Sequence, residues 1–167
     1  TDLNNNGMVI PEADYIAKWD GSDWSALGSN GTGNGARNGY VGAIVVDSAD
    51  RIYAGGGFTN AASIPEADYI AAWDGVNWSS LGDNGAANGS LNSGVNSIAA
   101  IGTTIYVGGF FTNVNNHGTA LPAADLVAKW NGTDWSALGS NGFGDGVFCV
   151  PCGNSIRAVY ANGTDVY

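Results

Sequence analysis

Basic side chains are scarce in this sequence: five Lys and Arg residues stand against fifteen Asp and Glu residues, for a formal net charge of −10. Proteins that bind nucleic acids or anionic membranes attract phosphate groups with clustered Lys and Arg. We therefore expect neither partner. Long apolar runs are also missing, since no segment reaches the ~18 residues of a membrane span, and we predict no membrane insertion.

Cysteine and histidine are almost absent, which excludes several kinds of site. Cys149 and Cys152 are the only cysteines, and His117 is the only histidine. A structural zinc site needs four ligands, and a thioredoxin-like motif needs a helix N-terminus in a βαβ unit. A local disulfide between Cys149 and Cys152, in an oxidising compartment, is the preferred interpretation, with a modest gain in stability because the loop is short. His117 is expected to be an exposed loop residue.

Capped helical stripes of ~10 residues are missing too, and internal repetition takes their place. A segment with two tryptophans and a Leu-Gly end occurs three times. The copies run over Ile10–Gly28, Ile64–Gly82 and Leu121–Gly139. The period is 54 residues and then 57 (65 − 11 and 122 − 65, counted between the prolines). A fixed period of this length indicates a repeat architecture.

A second block alternates with the first and completes the repeat. It begins at Val41, at Val95 and at Asn154, and its first two copies end in Gly-Gly-x-Phe-Thr. We divide the chain into one repeat array over residues 1–167, with units of about 1–58, 59–111 and 112–167. Both ends fall inside a repeat, so we expect further units or neighbouring chains to complete the array.

Alternating apolar and polar residues predict strands within each unit. Val41–Asp47 and Arg51–Phe58 are expected to form one hairpin. Tyr69–Trp73 and Asn77–Leu81 are expected to form the next, connected at Asp74-Gly75, because Asp-Gly between strands is a strong hairpin signal. Each repeat therefore supplies about four antiparallel strands. The predicted fold class is all-β, with tandem four-stranded blades of the propeller type, either open or completed by other blades or chains.

The repeated motifs resemble those of kelch-like or cortical-marker-like β-propellers in large extracellular surface proteins. The similar segments are Ile44 to Thr59 with Ile70 to Gly82, and Ile98 to Thr112 with Val127 to Gly139. The resemblance covers nearly the whole chain and implies a propeller architecture. It implies little about activity, because such folds serve many functions. Three copies fall short of the ~4 to 8 blades of an ordinary ring.

Residues present in every copy are expected to serve the fold. Asp14, Asp68 and Asp125 are interpreted as turn or capping groups. Glu12 and Glu66 have Ala123 as their counterpart, so no carboxylate pair is singled out. The tryptophans are expected to pack between blades. The alternative is sugar stacking, with Trp24, Trp78 and Trp135 as the candidates.

Two further sets of residues are candidate sites. Asp2, Asn4 and Asn6 match the first half of a calcium loop, but Ala13 stands where the loop needs a bidentate Glu, so an Asn-rich turn is the preferred interpretation and no metal is expected to be required for folding. Candidate glycosylation sites occur at Asn30, Asn77, Asn88, Asn131 and Asn162. Asn30 and Asn88, in Gly-rich loops, are expected to be the most accessible.

Taken together, the sequence favours a non-catalytic extracellular repeat protein that acts as a structural or adhesive surface unit. We expect it to associate with like units, in a ring or a filament, because exposed strand edges invite pairing. Two alternatives stay open: a carbohydrate-binding propeller module, and the propeller domain of a larger secreted enzyme. No cofactor other than calcium is suggested by any motif.

Overall fold

The fold is described from a computed structural model that covers residues 3–143, 146 and 155–167. Within these residues the regular structure consists of short antiparallel strands and one 3-10 turn at Ala61–Ser63. The strands are β1 (Leu3–Asn5), β2 (Met8–Ile10), β3 (Ala17–Trp19), β4 (Trp24–Ala26), β5 (Val41–Val46), β6 (Ile52–Gly56), β7 (Ile70–Trp73), β8 (Trp78–Ser79), β9 (Val95–Ile101), β10 (Thr104–Gly109), β11 (Val114–Asn116), β12 (Thr119–Leu121), β13 (Val127–Trp130), β14 (Trp135–Ala137), β15 (Ala161–Asn162) and β16 (Asp165–Val166). The prediction of an all-β chain is confirmed.

Two four-stranded antiparallel sheets form the centre of the molecule. The central sheet has the order β5-β6-β7-β8, and the following sheet has the order β9-β10-β13-β14. Each sheet therefore begins in the second half of one sequence unit and ends in the first half of the next. We call the first two strands of a sheet its leading hairpin and the last two its trailing hairpin. The hairpins predicted at Val41–Phe58 and Tyr69–Leu81 are confirmed as these two halves of the central sheet.

Two separate hairpins lie on either side of the four-stranded sheets. Strands β3 and β4 pair alone and match the trailing hairpins in sequence. Strands β15 and β16 also pair alone, extended by backbone hydrogen bonds between Tyr160 and Tyr167, and they match the leading hairpins. The described residues thus form one trailing hairpin, two whole sheets and one leading hairpin. These sheets do not form a closed ring.

The Asp-Gly connectors adopt a longer turn than the two-residue one that the sequence suggests. In the central sheet Trp73 pairs with Trp78, so the loop has four residues. The Asp74 carboxylate accepts hydrogen bonds from the backbone N–H groups of Val76 and Asn77, at 2.8 and 2.7 Å. Asp20 and Asn131 accept the equivalent pairs in the other copies. The side chain of the first loop residue therefore stabilises the turn.

The segments before the trailing hairpins differ between copies. Asn6-Gly7 joins β1 to β2, and His117-Gly118 joins β11 to β12, as two-residue loops with φ positive at both positions. This is the turn that suits a two-residue hairpin, and Gly at its second position adopts the conformation without strain. In the middle copy the shorter 3-10 turn replaces the hairpin.

Candidate functional site

The contact between successive sheets is the most regular feature of the molecule. The indole N–H of Trp78 donates a hydrogen bond to the backbone carbonyl of Leu27, at 2.5 Å. One repeat later, Trp135 donates to the carbonyl of Leu81, at 2.6 Å. Both indoles are buried. Each sheet therefore inserts a tryptophan beneath the Leu-Gly turn of the preceding repeat, and this supports the prediction that the tryptophans pack between repeats.

The Leu-Gly turn fits closely over the tryptophan pair. Trp73 and Trp78 lie across the β7–β8 hairpin with ring centroids 5.3 Å apart. Gly28, with φ of 76°, lies so close to them that a Cβ there would be 3.1 Å from Trp73 and 3.2 Å from Trp78. Gly82 has the same backbone conformation, and its Cβ would be 3.4 Å from Trp130. A side chain at either turn would strain the backbone, and at Gly28 it would also press on the tryptophan pair.

A second contact joins the leading hairpins. A Cβ on Gly55 would lie 2.5 Å from the Val95 side chain and 3.0 Å from that of Ile98. One repeat later, a Cβ on Gly108 would overlap the Ile156 side chain. The glycine that follows Tyr-Ala or Tyr-Val therefore lets the next leading strand pack directly on the sheet. Successive sheets are stacked by the same two contacts each time.

The first-repeat counterparts of the buried contact residues are more exposed than the later copies. Trp24, the counterpart of buried Trp78 and Trp135, exposes 39% of its surface. Ile44, the counterpart of Ile98, exposes 54%, against 8% for Ile98. The tryptophan that is buried in the second and third repeats is therefore partly exposed to water in the first repeat. The large apolar side chains left exposed in the first repeat include Trp19, Trp24, Ile44 and Val46.

An apolar pocket borders the last leading hairpin. Its volume is about 200 Å³, and it lies between Leu138 and the leading hairpin near Tyr160–Tyr167. The residues that line it are Val127, Leu138, Ile156, Ala158, Val159, Val166 and Tyr167. Leu138 is the counterpart of Leu27 and Leu81. The pocket is therefore bordered by the counterpart of the two leucines whose backbone carbonyls accept tryptophan hydrogen bonds.

The aspartates shared by all copies link separate segments of backbone. Asp68 accepts hydrogen bonds from the N–H of Asn60 at 2.8 Å and of Gly89 at 3.4 Å. Asp125 accepts one from the N–H of Asn113 at 2.5 Å. This agrees with the turn or capping role predicted for Asp68 and Asp125. Asp14 packs with its side chain against Gly35, as Asp68 does against Gly89.

Arg37 is a buried charge within the first contact between sheets. Its guanidinium carbon lies 3.6 Å from the centre of the Trp78 ring and 4.4 Å from that of Phe58. The residue is 4% exposed, and its three side-chain nitrogens have no hydrogen-bond partner among the described residues. Burial lowers the pKa of Arg37 to about 9. Leu91 occupies the equivalent core position one repeat later.

His117 connects the β11–β12 hairpin to two neighbouring loops. Its Nδ1 lies 2.8 Å from an Asp83 carboxylate oxygen, and its Nε2 lies 3.2 Å from the Thr133 carbonyl oxygen. The hydrogen bond with Asp83 is the main cause that raises the pKa of His117, and it lowers the pKa of Asp83. His117 is partly exposed, as predicted, but it is also an ion-pair partner. An open groove of about 660 Å³ lies beside the ring, and His117, Glu66, Asp83 and Trp130 are among the residues that line it.

The other predicted site residues are dispersed. Asn4 lies in the β1–β2 hairpin, where its carboxamide oxygen accepts the Gly7 N–H at 2.8 Å, and Asn6 is in the turn itself. Asp2, Cys149 and Cys152 lie outside the described residues, so the calcium loop and the disulfide stay predictions. Among the described residues no cluster of three His, Cys, Asp or Glu side chains is arranged to hold a metal ion.

The candidate glycosylation sites lie in turns and loops. Asn77, Asn88, Asn131 and Asn162 are exposed, whereas Asn30 is half-buried and its carboxamide oxygen is 2.7 Å from the Thr32 hydroxyl oxygen. The use of these sites for glycosylation stays a prediction. Of the residues proposed for sugar stacking, Trp78 and Trp135 are buried and only Trp24 exposes much of its ring.

Three features of the site do not follow from the sequence patterns. The burial of Arg37 is one, although alignment of the copies places it at the position of Leu91. The Asp83–His117 ion pair is another, because its members belong to different repeats. The third is the close packing of Gly55 and Gly108 against the next sheet, which their recurrence at the same position within a strand could have indicated.

Comparisons with known proteins identify no relative. No family model, no curated protein and no solved structure matches the chain. In the part of the chain that the structure describes, no helix is both long and apolar enough to cross a membrane.

Proposed function

We propose that this protein is a non-catalytic extracellular repeat protein of the β-propeller type, kelch-like in its repeats, which acts as a structural or adhesive surface unit by associating with like units. The observation that carries the proposal is the repeated contact between sheets. The same tryptophan and leucine meet twice within the described residues, and a further tryptophan, Trp24, is left exposed in the first repeat.

The distribution of repeated residues also supports a structural role. The tryptophans, the Leu-Gly turns and the shared aspartates are used for packing, turns and backbone hydrogen bonds. A residue that every sheet needs for packing or turns has a structural role in each copy. Large apolar side chains left exposed, such as Trp19 and Trp24, are candidates for an interaction surface.

Association is tested with the purified chain by multi-angle light scattering and sedimentation over a hundredfold range of concentration. The proposal predicts that the mean mass rises with concentration above that of one chain, 17.0 kDa. A mass that stays at 17.0 kDa at every concentration, with the far-ultraviolet spectrum of a folded β protein, would contradict it.

Sugar binding is a second candidate, and it is favoured by Trp24. This ring is tilted against exposed Trp19, at 5.3 Å between centroids, and Asp23 of the same hairpin accepts a hydrogen bond from Asn5. Exposed aromatic rings beside carboxylate and amide groups suit the apolar faces and hydroxyls of sugars.

A glycan array distinguishes this candidate. Binding that the native chain shows and the Trp24→Ala variant loses would support a sugar site at Trp24. Equal signals from both proteins, or none from either, would leave self-association as the only proposal that Trp24 supports.

A further inference from the structure

We propose that the polar pocket lined by Arg37 binds a small oxyanion, namely a carboxylate, sulfate or phosphate group, and that the Arg37 guanidinium supplies the positive charge of the site. Self-association is not required for this binding. Two observations support it: the buried guanidinium has no hydrogen-bond partner among the described residues, and the same residue lines a pocket.

The guanidinium of Arg37 lacks the partner that a buried charge requires. Its carbon lies 3.6 Å from the centre of the Trp78 ring and 4.4 Å from that of Phe58, so aromatic rings contact the group. Its N–H donors have no acceptor in the described part of the chain, whereas buried charges in proteins are normally paired. Because the group is shielded from bulk water, its attraction for a negative charge is weakly screened.

The pocket has room for a small anion in polar surroundings. Its volume is about 210 Å³, several times the ~30 Å³ that one water molecule occupies in the liquid. None of the described residues that line it is acidic, although the chain has fifteen Asp and Glu residues. The polar residues of the lining are Asn30, Arg37, Asn38, Asn60 and Ser63.

Carboxamide groups at the pocket can supply hydrogen bonds to an anion. The Asn30 carboxamide oxygen accepts hydrogen bonds from the backbone N–H and the hydroxyl of Thr32, at 2.9 and 2.7 Å, so its NH2 group is the end left for a ligand. The nearby Asp68 carboxylate already accepts the N–H groups of Asn60 and Gly89. The pocket therefore combines a buried positive charge with N–H donors, and these groups together recognise oxyanions.

The next repeat contains the same pocket without the positive charge. Its volume is about 370 Å³, and the counterparts of Asn30, Asn38 and Asn60 that line it are Asn84, Asn92 and Asn113. Leu91 stands there in place of Arg37, and the lining also includes Asp68. This second pocket has a carboxylate at its wall and no Arg, so we expect it to bind no anion.

Replacement of Arg37 by leucine tests the site directly, because buried Leu91 shows that the fold accepts leucine at this position. Amide NMR spectra are recorded at pH 7 with increasing acetate, sulfate or phosphate, and chloride keeps the ionic strength constant. Arg37→Lys retains a positive charge without the planar fork of donors. Arg157→Leu is the matched control, since it removes one positive charge from an exposed position.

The expected result is a saturable shift of the amide signals of Asn30, Arg37 and Asn60 with at least one of the three anions. Arg157→Leu should bind like the native chain, and Arg37→Lys more weakly. Arg37→Leu should bind at least ~10-fold more weakly, as for loss of a hydrogen bond to a charged group. Binding of acetate alone would assign the site to carboxylates, and binding of sulfate or phosphate alone would assign it to tetrahedral groups.

Three results would overturn the anion site. One is the absence of a saturable shift with every anion, which would mean that the pocket holds only water. Another is equal binding by the native chain and by Arg37→Leu, with the other amide signals of the variant unchanged as evidence that it is folded. The third is an equal shift at Asn84 and Asn113, which would assign binding to features that both pockets share. None of these results bears on self-association, which light scattering tests separately.

Discussion

At the residue scale, the positions that depart from the repeat are the informative ones, and Arg37 departs furthest. A guanidinium in the core loses its hydration, and two aromatic rings return only part of that energy. Because Leu91 fills the same position one repeat later, the fold has no need of the charge there. The arginine is therefore a local cost to stability within the first contact between sheets.

Replacement of Arg37 by leucine is predicted to raise the free energy of unfolding by about 1 to 4 kcal/mol, the range seen when buried ion pairs are replaced by well-packed apolar groups. Chemical denaturation at pH 7 measures the change. Arg157→Leu removes the same charge from an exposed position and should leave stability within about 0.5 kcal/mol. A loss of stability in Arg37→Leu would show that the guanidinium has a stabilising partner.

His117 gives the molecule a pH-dependent link between loops. Both ring nitrogens face acceptor oxygens, so both can donate only when the ring is the imidazolium ion. The pKa of His117 is raised by this arrangement above the ordinary value of 6.5. The contribution of His117 to stability is therefore fully present below the unfolded pKa of about 6.5 and is lost as pH rises through the higher folded pKa.

The predicted result is faster hydrogen exchange of the β11–β12 backbone amides above the folded pKa of His117 than below it, after correction for the intrinsic pH dependence of exchange. His117→Asn is the matched control, because Asn6 occupies the equivalent turn of the β1–β2 hairpin. This variant should show no such transition. The same transition in native and variant protein would exclude the imidazolium as its cause.

At the scale of the elements, the sequence determines the hairpins well and their packing poorly. Alternation of apolar residues and the Asp-Gly turns are sufficient to place the β5–β6 and β7–β8 hairpins, because both signals are local. The Asp74 loop is longer than the sequence predicts, because an Asp side chain can close a four-residue turn with its own hydrogen bonds. The ion pair of His117 depends on contacts between repeats, which no local pattern specifies.

Gly55 and Gly108 allow the sheets to stack, and this gives a prediction for β6 and β10. Alanine at either position is expected to destabilise the protein by about 1 to 3 kcal/mol, because its Cβ would overlap the next leading strand. Thermal denaturation of both variants measures the effect.

Gly75→Ala provides the comparison, since Gly75 has φ of 102° and a Cβ added there would have no atom of the described residues within 4 Å beyond its chain neighbours. The loss of stability in Gly75→Ala should come from backbone strain alone, and the contacts between sheets should stay unchanged. Hydrogen exchange in β9 should therefore increase in Gly55→Ala and not in Gly75→Ala. Equal exchange in the two variants would show that Gly55 is not needed for stacking.

At the scale of the whole molecule, net charge opposes the association that apolar surface favours. Each copy carries a formal charge of −10, so two copies repel one another at long range. Salt screens this repulsion, with a Debye length of about 30 Å at 0.01 M and about 8 Å at 0.15 M ionic strength. The apolar contact at Trp24 is not weakened by salt in this range.

Association should therefore be stronger at about 0.15 M than at about 0.01 M salt, as measured by light scattering at one fixed protein concentration. The Trp24→Ala variant should remain monomeric at both salt concentrations. Association that weakens as salt is added would indicate that ion pairs, and not apolar burial, hold the copies together.

The central claim is that like units associate through exposed apolar side chains, and electron cryomicroscopy of the assembled native protein tests it most directly. The expected map shows copies in contact at Trp19 and Trp24, which are exposed in the single chain. A map in which the copies meet through other surfaces and leave Trp24 in solvent would contradict it.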